Sequence, residues 1–415
     1  MRLLLLTGGG HVDFFPGLEV IIKAERERNN TILGSLNGWA GIQKGSGGVV
    51  DITDYPIENF HRMGGSFLGS SRTKPDLEKV ISHLRKFAVD VVVPFGGEDT
   101  LGIANMLHNQ FNVPIVGWPK TMDNDTGGSY ASIGYIKAAD VAMRNTLEAL
   151  STAYTHSRIV LLPVFGRNTD WIAGAAADYG HAHYVIPAEK KDLSLAVVAQ
   201  QIKRIYHENK ERYGNPFAVV VVSEAASGLG GLKEYVDRLV PPDKIKYDSF
   251  GHPKLEPEIL AYALRQALSD YIGVKMDVIA SKPLTYHLRD GNLSELDDKF
   301  ARMTAEECVR LIDQGDFGRV ATIQDPEVSG VWPEDRSLQV NTHGKILVVS
   351  SVPLEIASRI RTVDGTGFFD YNELRPTPQF TDYLHPLLGP KSLGNLHNFV
   401  PFKLAEPVGA ELSNK

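Results

Sequence analysis

Two short segments carry the densest chemistry in the chain, PFGGEDT at 94–100 and GWPKTMDNDT at 117–126. Glu98 and Asp99 offer the hard carboxylate oxygens that bind a divalent cation, and the preceding Gly-Gly lets backbone approach a ligand closely. Lys120 supplies a positive charge for phosphate and Thr121 a hydroxyl donor. Asp123 and Asp125 are two residues apart, so an extended segment would put both on one face. Carboxylates beside a metal–phosphate complex serve as ligand and as general base, the chemistry of phosphoryl transfer. A third segment, TGGGHVDFFPG at 7–17, has glycines that would let backbone N–H groups reach phosphate oxygens at a helix N-terminus. Any one of these segments reads equally well as an ordinary turn. Three of them, each behind an apolar run, point to one site.

Such residues need a frame. The apolar runs 2–6, 89–95, 113–117, 158–165, 217–223 and 274–280 are expected to be strands, and helical patterns alternate with them. Leu77, Val80, Ile81, Leu84 and Ala88 form one amphipathic stripe. A second runs through Leu195, Val198, Ile202 and Ile205 and stops at Gly214. Thr304 and Glu307 have the spacing of a capping box opening a helix over 305–314, with Gly315 as its stop. Pro16 suits a helical first turn. This alternation predicts an α/β fold with parallel strands, whose ligands gather beyond the strands' carboxyl ends. Past residue 320 the pattern weakens, and 366–415 reads as an irregular packed extension, a lid, a dimer arm or simple packing.

Composition narrows the class. The chain has 415 residues, 43% hydrophobic and 22% charged, enough for a large core in two closely joined domains. Lys plus Arg is 43 against 50 Asp plus Glu, a net charge of −7 without like-charge runs, so neither nucleic acid nor an anionic membrane is an expected partner. The lone cysteine, Cys308, excludes an intrachain disulfide and reads as a buried hydrophobe. MRLLLL is too short for a signal-peptide core and no apolar run reaches spanning length, so the expected location is cytoplasmic. His11 reads as a phosphate contact or as loop packing, and HAHY (181–184) as a surface or interface feature rather than a metal site.

Taken in order, these segments resemble the phosphofructokinase family over roughly residues 1–315. TGGGHVDFFPG is similar to the family's first glycine loop, LGSSR (68–72) to its phosphate-binding segment, and GGEDT to its GGDGS-type loop. PKTMDND resembles the PGTIDND/PKTIDND catalytic loop and THSRIVLLPVFGR (155–167) the SHxR…EVMGR segment. SEAASG (223–228) and TYHLRDGNLSELD (285–297) are similar to later substrate-binding segments. The resemblance implies two Rossmann-like three-layer domains with mostly parallel sheets. A phosphoryl-donor and magnesium domain would span 1–135 and be rejoined by about 290–365, and a sugar-phosphate domain would span 136–289.

The implied reaction is transfer of a phosphoryl group to the 1-hydroxyl of fructose 6-phosphate. By position, Asp123 would be the base, with Thr121 and Asp125 beside it, and Arg167 would steady the transferring group. Glu98 would support Mg²⁺, while Gly9, Gly10, Arg72, Gly97, Asp99, Thr100 and Lys120 would hold the donor. Arg158, Phe165, Gly166, Glu224, Lys282, Tyr286 and Arg289 would hold the sugar phosphate. Arg158 would reach a neighbouring subunit's site, which implies a homodimer or homotetramer.

Two positions bear on the donor. ATP-using members usually carry glycine at the positions of Asp99 and Lys120, whereas pyrophosphate-using members resemble this chain at both. A carboxylate at 99 repels an α-phosphate and an ammonium at 120 attracts a compact pyrophosphate, so pyrophosphate is the expected donor and ATP the alternative. Tyr286 stands where many ATP enzymes have histidine. The chain also departs from the family. Its first loop is two residues longer, Glu19 replaces the usual asparagine, Phe165 replaces a common methionine, and Lys282 is the nearest candidate for a missing arginine. Trp39 stands where relatives place a tyrosine near the base, or else is a core aromatic. A catalytically silent regulatory subunit is a further alternative, and sedoheptulose 7-phosphate stays open as an acceptor. Diacylglycerol and NAD kinases share a GGDG loop but lack PKTMDND.

Overall fold

The long apolar runs become strands covered on both faces: residues 3–6, 91–93, 159–162 and 218–222 are all buried. The computed structural model describes residues 1–57, 64–224, 226, 229–245 and 257–391. Two units are distinguished. The first takes Met1–Ala139 and Tyr286–Thr362, and the second takes Asp140–Ile245, the segment from 257 to Thr285, and the chain from Val363 onward.

The first unit holds an eight-stranded sheet in the order Gln339–Thr342, Lys345–Pro353, Arg319–Gln324, Val116–Pro119, Val91–Gly96, Arg2–Thr7, Thr31–Ser35 and Val49–Asp51. From Arg319–Gln324 to Thr31–Ser35 the neighbours run parallel, and antiparallel strands finish both edges. Leu4 pairs in register with Val92 and Leu33, so one face of the three central strands packs on helices Leu77–Lys86 and Glu98–Phe111. Alternation sends Leu3, Leu5 and Val93 the other way. Helices Phe15–Glu27 and Glu295–Gln314 pack together, and Trp118 joins strand to helix by donating from Nε1 to Thr304 Oγ1 at 2.9 Å.

The second unit's parallel sheet runs Tyr184–Ile186, Ala218–Ser223, Ile159–Val164, Ile279–Ser281. Ile159, Leu161, Val220 and Val222 form a core with Ile202 of helix Leu195–Tyr213 and Leu264 and Leu268 of helix Pro257–Ile272. Trp171–Gly180 also packs on strand Ala218–Ser223. The fold is therefore the expected α/β class, Rossmann-like and mostly parallel.

Three local readings are corrected. The helix expected over 305–314 begins at Glu295, capped by Ser294, whose Oγ accepts from Asp297 N. Thr304 lies inside it and bonds back to Phe300 O at 2.7 Å, so Thr304 and Glu307 are no capping box. The run 274–280 yields only Ile279–Ser281 as strand, behind a 3₁₀ turn at Met276–Val278. The part of 366–415 that is described, up to 391, is not irregular. It holds paired strands Phe369–Asp370 and Arg375–Pro376 and a helix Pro378–Leu388. Phe380, Tyr383, Leu384 and Leu387 are buried at helical spacing, with Phe380 and Tyr383 against Trp171, which gives that helix its reason to form. The remainder, 392–415, lies outside the described residues. Among the described residues no helix is long and apolar enough to cross a membrane.

Candidate active site

In the first unit, the loops after three neighbouring strands meet. Gly8 N donates to Phe95 O at 2.9 Å and Lys120 N to Gly96 O at 3.0 Å, so the glycine loop, GGEDT and PKTMDNDT are tied edge to edge. LGSSR joins them: Gly9 N donates to Ser71 O at 3.1 Å, and Ser70 Oγ donates to Gly9 O at 2.8 Å. Gly9 has φ +82°, a left-handed conformation that suits glycine.

Cations converge on this loop. Lys120 Nζ donates to Gly10 O at 2.6 Å and lies 4.5 Å from the Phe14 ring centroid. A Cβ on Gly10 would sit 2.9 Å from Arg289 Nη1 and 3.7 Å from Arg72 Nη2, and one on Gly9 would sit 3.5 Å from Lys120 Nζ. Burial, then Arg72 and Arg289, push the Lys120 ammonium down to about 7. Lys120, Arg72 and Arg289 thus gather at the backbone of the glycine loop, with Asp123 acting back on Lys120 and Arg289. Arg289 also stacks over Tyr286, 4.7 Å from its ring centroid, and Tyr286 itself is 55% exposed.

The carboxylates divide into two settings. Asn124 is left-handed (φ 55°) and its Oδ1 accepts from Ser132 N at 2.9 Å, so PKTMDNDT turns instead of extending. Asp123 is half-buried, its N–H donates to Thr121 Oγ1 at 3.1 Å, and its charge acts on Lys120 and Arg289. Asp125 is buried and hydrogen-bonded to Thr121. Burial and the charges of Glu98 and Asp99 push it up to about 6, and its Oδ1 has no hydrogen-bond partner. Glu98 is pushed up to about 7 by burial and by Asp99. Glu98 and Asp99 open helix Glu98–Phe111, with Gly97 before them and buried Thr100 behind. Among the described residues no three His, Cys, Asp or Glu side chains are grouped to hold a metal by themselves. The orphaned Asp125 oxygen and the crowded Glu98 instead suit a Mg²⁺ that takes one or two carboxylates and fills its sphere with water and phosphate.

Other expected residues are in the second unit. Arg158 is half-buried at the foot of strand Ile159–Val164, and buried Phe165 with Gly166 and half-buried Arg167 follow its carboxyl end. Glu224 follows strand Ala218–Ser223, while residues 225, 227 and 228 of SEAASG lie outside the described residues. Lys282 pairs with Glu148 at 3.3 Å.

Several sequence signals resolve into structure. Trp39 is buried and donates to Thr100 O at 3.3 Å. Glu19 is tied to Arg302 at 2.9 Å and to Lys23. Cys308 is buried, its thiol pushed up by burial. His183 points inward rather than to a surface role: its Nδ1 accepts from Val219 N at 3.1 Å and burial lowers the ring to about 4. The residue His11 is largely open to solvent, but its ring is partly covered, which lowers it; Asp290 raises it, and Arg289, Lys120 and Lys137 lower it again, so it stands beside the cation cluster. Sequence reasoning missed Asp297, whose buried carboxylate accepts from Gly134 N and Lys137 N and fixes the turn after PKTMDNDT. Its signal was the Ser294 N-cap three residues earlier.

Cations over a glycine loop thus lie beside carboxylates crowded by burial and by one another. The chain belongs to the phosphofructokinase family, whose model matches residues 4–312. An ATP-dependent 6-phosphofructokinase of Corynebacterium efficiens is 29% identical over 340 residues, 79% of this chain and 91% of the relative. A pyrophosphate–fructose 6-phosphate 1-phosphotransferase of Dictyoglomus thermophilum is 25% identical over 334 residues, with the same coverage of 79% and 91%. The crystal structure of a pyrophosphate-dependent phosphofructokinase from Marinobacter aquaeolei superposes with a TM-score of 0.71 at 18% identity, covering 94% of this chain and 92% of that one, a likeness of fold.

Proposed function

We propose that this chain transfers a phosphoryl group reversibly from pyrophosphate to the 1-hydroxyl of fructose 6-phosphate. The observation that carries the reading is Lys120, fully buried with its ammonium against Gly10 O and between Arg72 and Arg289. A buried ammonium among cations is costly until a dense anion arrives, and pyrophosphate is compact enough to sit on it. Asp99 works from the other side. With Glu98 it puts two carboxylates on the first turn of helix Glu98–Phe111, and on this reading their repulsion is directed at the inner phosphate of a longer nucleotide.

Asp123, half open and facing cations, takes the acceptor proton, and Thr121 fixes its loop by accepting the Asp123 N–H. Arg167 steadies the group in flight. Glu98 and Asp125 are the residues that would hold Mg²⁺, which when bound would neutralise phosphate charge. Arg289 and Tyr286 bind the sugar phosphate, with Arg158 serving a neighbouring subunit of a homodimer or homotetramer. A second reading, ATP as donor, is supported by the similarity to the Corynebacterium efficiens enzyme. A silent subunit is disfavoured by the presence of Thr121, Asp123, Asp125 and Arg167 together. The test is a donor-by-acceptor assay with Mg²⁺ on wild type, Asp99→Gly, Lys120→Gly and the double variant. Pyrophosphate use is expected in the wild type, with a shift toward ATP in the variants. A wild type that prefers ATP overturns the reading.

A further inference from the structure

The loop that carries Arg167 is held at both ends. At its start Ser223 Oγ donates to Gly166 O at 3.2 Å, and Gly166 has φ +140°. A Cβ on Gly166 would lie 3.1 Å from Thr169 O, so the turn closes tightly on itself. At its end is Asp170, fully buried. Asp170 and Glu189 bind each other reciprocally. Asp170 N donates to Glu189 Oε1 at 2.8 Å, and Glu189 N donates to Asp170 Oδ2 at 3.0 Å, while Ala188 N donates to Asp170 Oδ1 at 2.7 Å.

The remaining donors to this carboxylate pair come from far along the chain. Val363 N donates to Glu189 Oε1 at 2.9 Å, Asp364 N to Glu189 Oε2 at 2.7 Å, and the Tyr371 hydroxyl to Asp170 Oδ2 at 3.1 Å. Residues 363–371 lie beyond the segment matched by the family model, which ends at 312. Holding a buried carboxylate beside a second, half-buried one is costly, and here backbone N–H groups and one phenol offset it. Without the far segment, the pair would keep its mutual repulsion and lose three of its donors. The end of the Arg167 loop would then be free to shift.

We propose that Tyr371 and the strap 363–364 are positioning elements for Arg167, acting through the Asp170–Glu189 pair. This rests on the role of Arg167 in the proposed function. The hydroxyl of Tyr371 touches no reacting group. It holds the loop in the one arrangement that aims the guanidinium, and an aim lost by about 1 Å weakens the transition state more than the ground state.

The test compares the full-length Tyr371→Phe, Arg167→Ala and double variants with wild type in steady state, with thermal midpoints recorded for each. Tyr371→Phe is expected to lower kcat roughly tenfold while KM for the sugar phosphate stays within about twofold. In the Arg167→Ala background, Tyr371→Phe is expected to cause no further loss. Glu189→Gln, which keeps the shape of the side chain, is expected to give the same kcat-selective loss and serves if Tyr371→Phe does not fold. Additive losses in the double variant, or lowered thermal midpoints with kcat unchanged in both Tyr371→Phe and Glu189→Gln, overturn the positioning role and leave that of Arg167 standing. Wild-type kcat in Arg167→Ala overturns the role of Arg167, and the proposal falls with it.

Discussion

Replacing Lys120 by methionine removes its charge and keeps most of its length. In the folded protein the ammonium donates to Gly10 O at 2.6 Å, and its proton is lost near pH 7 because burial, Arg72 and Arg289 all oppose the charge. On the proposed function, a bound pyrophosphate is expected to reverse that balance and restore the proton. A charge-assisted hydrogen bond to phosphate is worth about 2 kcal/mol, which is about 30-fold in kcat/KM. Below pH 7 wild type starts with the charge in place, and the full advantage over Lys120→Met is expected. Above pH 7 binding must first take up a proton, so the advantage falls about tenfold per pH unit and nearly vanishes by about pH 8.5. The titration of pyrophosphate itself is common to both proteins and cancels in their ratio. The assay is kcat/KM for pyrophosphate at saturating fructose 6-phosphate and Mg²⁺, from about pH 6 to about pH 9, for both proteins. A ratio near one at pH 6 would mean that Lys120 does not meet the donor. A large ratio that stays constant with pH would mean that its proton is never lost.

Asp123→Asn is expected to lower kcat by roughly 10²–10⁴ with little change in substrate affinity, and near-wild-type turnover would remove Asp123 as the base. Arg158→Ala is expected to raise KM for the sugar phosphate, with wild type active only as a dimer or larger; an active monomer in sedimentation would contradict this. Glu98, Asp13, Asp125, Asp170 and Asp297 are all pushed up, to about 7 for Glu98 and about 6 for the rest, mainly by burial. The folded state therefore binds more protons than the unfolded chain between about pH 4 and pH 7. The ligand-free protein should melt higher at about pH 5.5 than at about pH 7.5. Lys120, His183 and His11, all pushed down, oppose this as three groups against five. A midpoint that drops on this acidification would refute the sign, and Mg²⁺ with pyrophosphate is expected to flatten the dependence.

Strands buried on both faces, such as LLLL at 3–6 or VVVV at 219–222, were legible because no polar alternation interrupts them. Thr31–Ser35, Tyr184–Ile186 and the strands within 319–353 were not, being short or, like RVATIQ, mixed in composition. The Thr304–Glu307 spacing misled because a mid-helix threonine can bond its own helix backbone, which no local pattern distinguishes from a cap. In the candidate site, residue types and loop positions could be read, but the burial of Lys120 could not. It depends on Gly10 and Phe14, more than a hundred residues away. The helix at 378–388 was visible in its aromatic spacing and was obscured by the surrounding Pro and Gly.

The central sheet of the first unit is closed on one side by strands that the ribosome delivers late. Val116–Pro119 pairs with Arg319–Gln324, which in turn needs Lys345–Pro353. At bacterial or eukaryotic elongation rates, the carboxyl-terminal edge of the early strands waits on the order of tens of seconds with its backbone unpaired, while Asp140–Ile245 is already emerging. The stretch from 319 to 353 thus decides when an aggregation-prone edge disappears. Yield in the cell should respond to synthesis speed, and to chaperones that cover strand edges, more than the equilibrium stability of the finished enzyme would indicate.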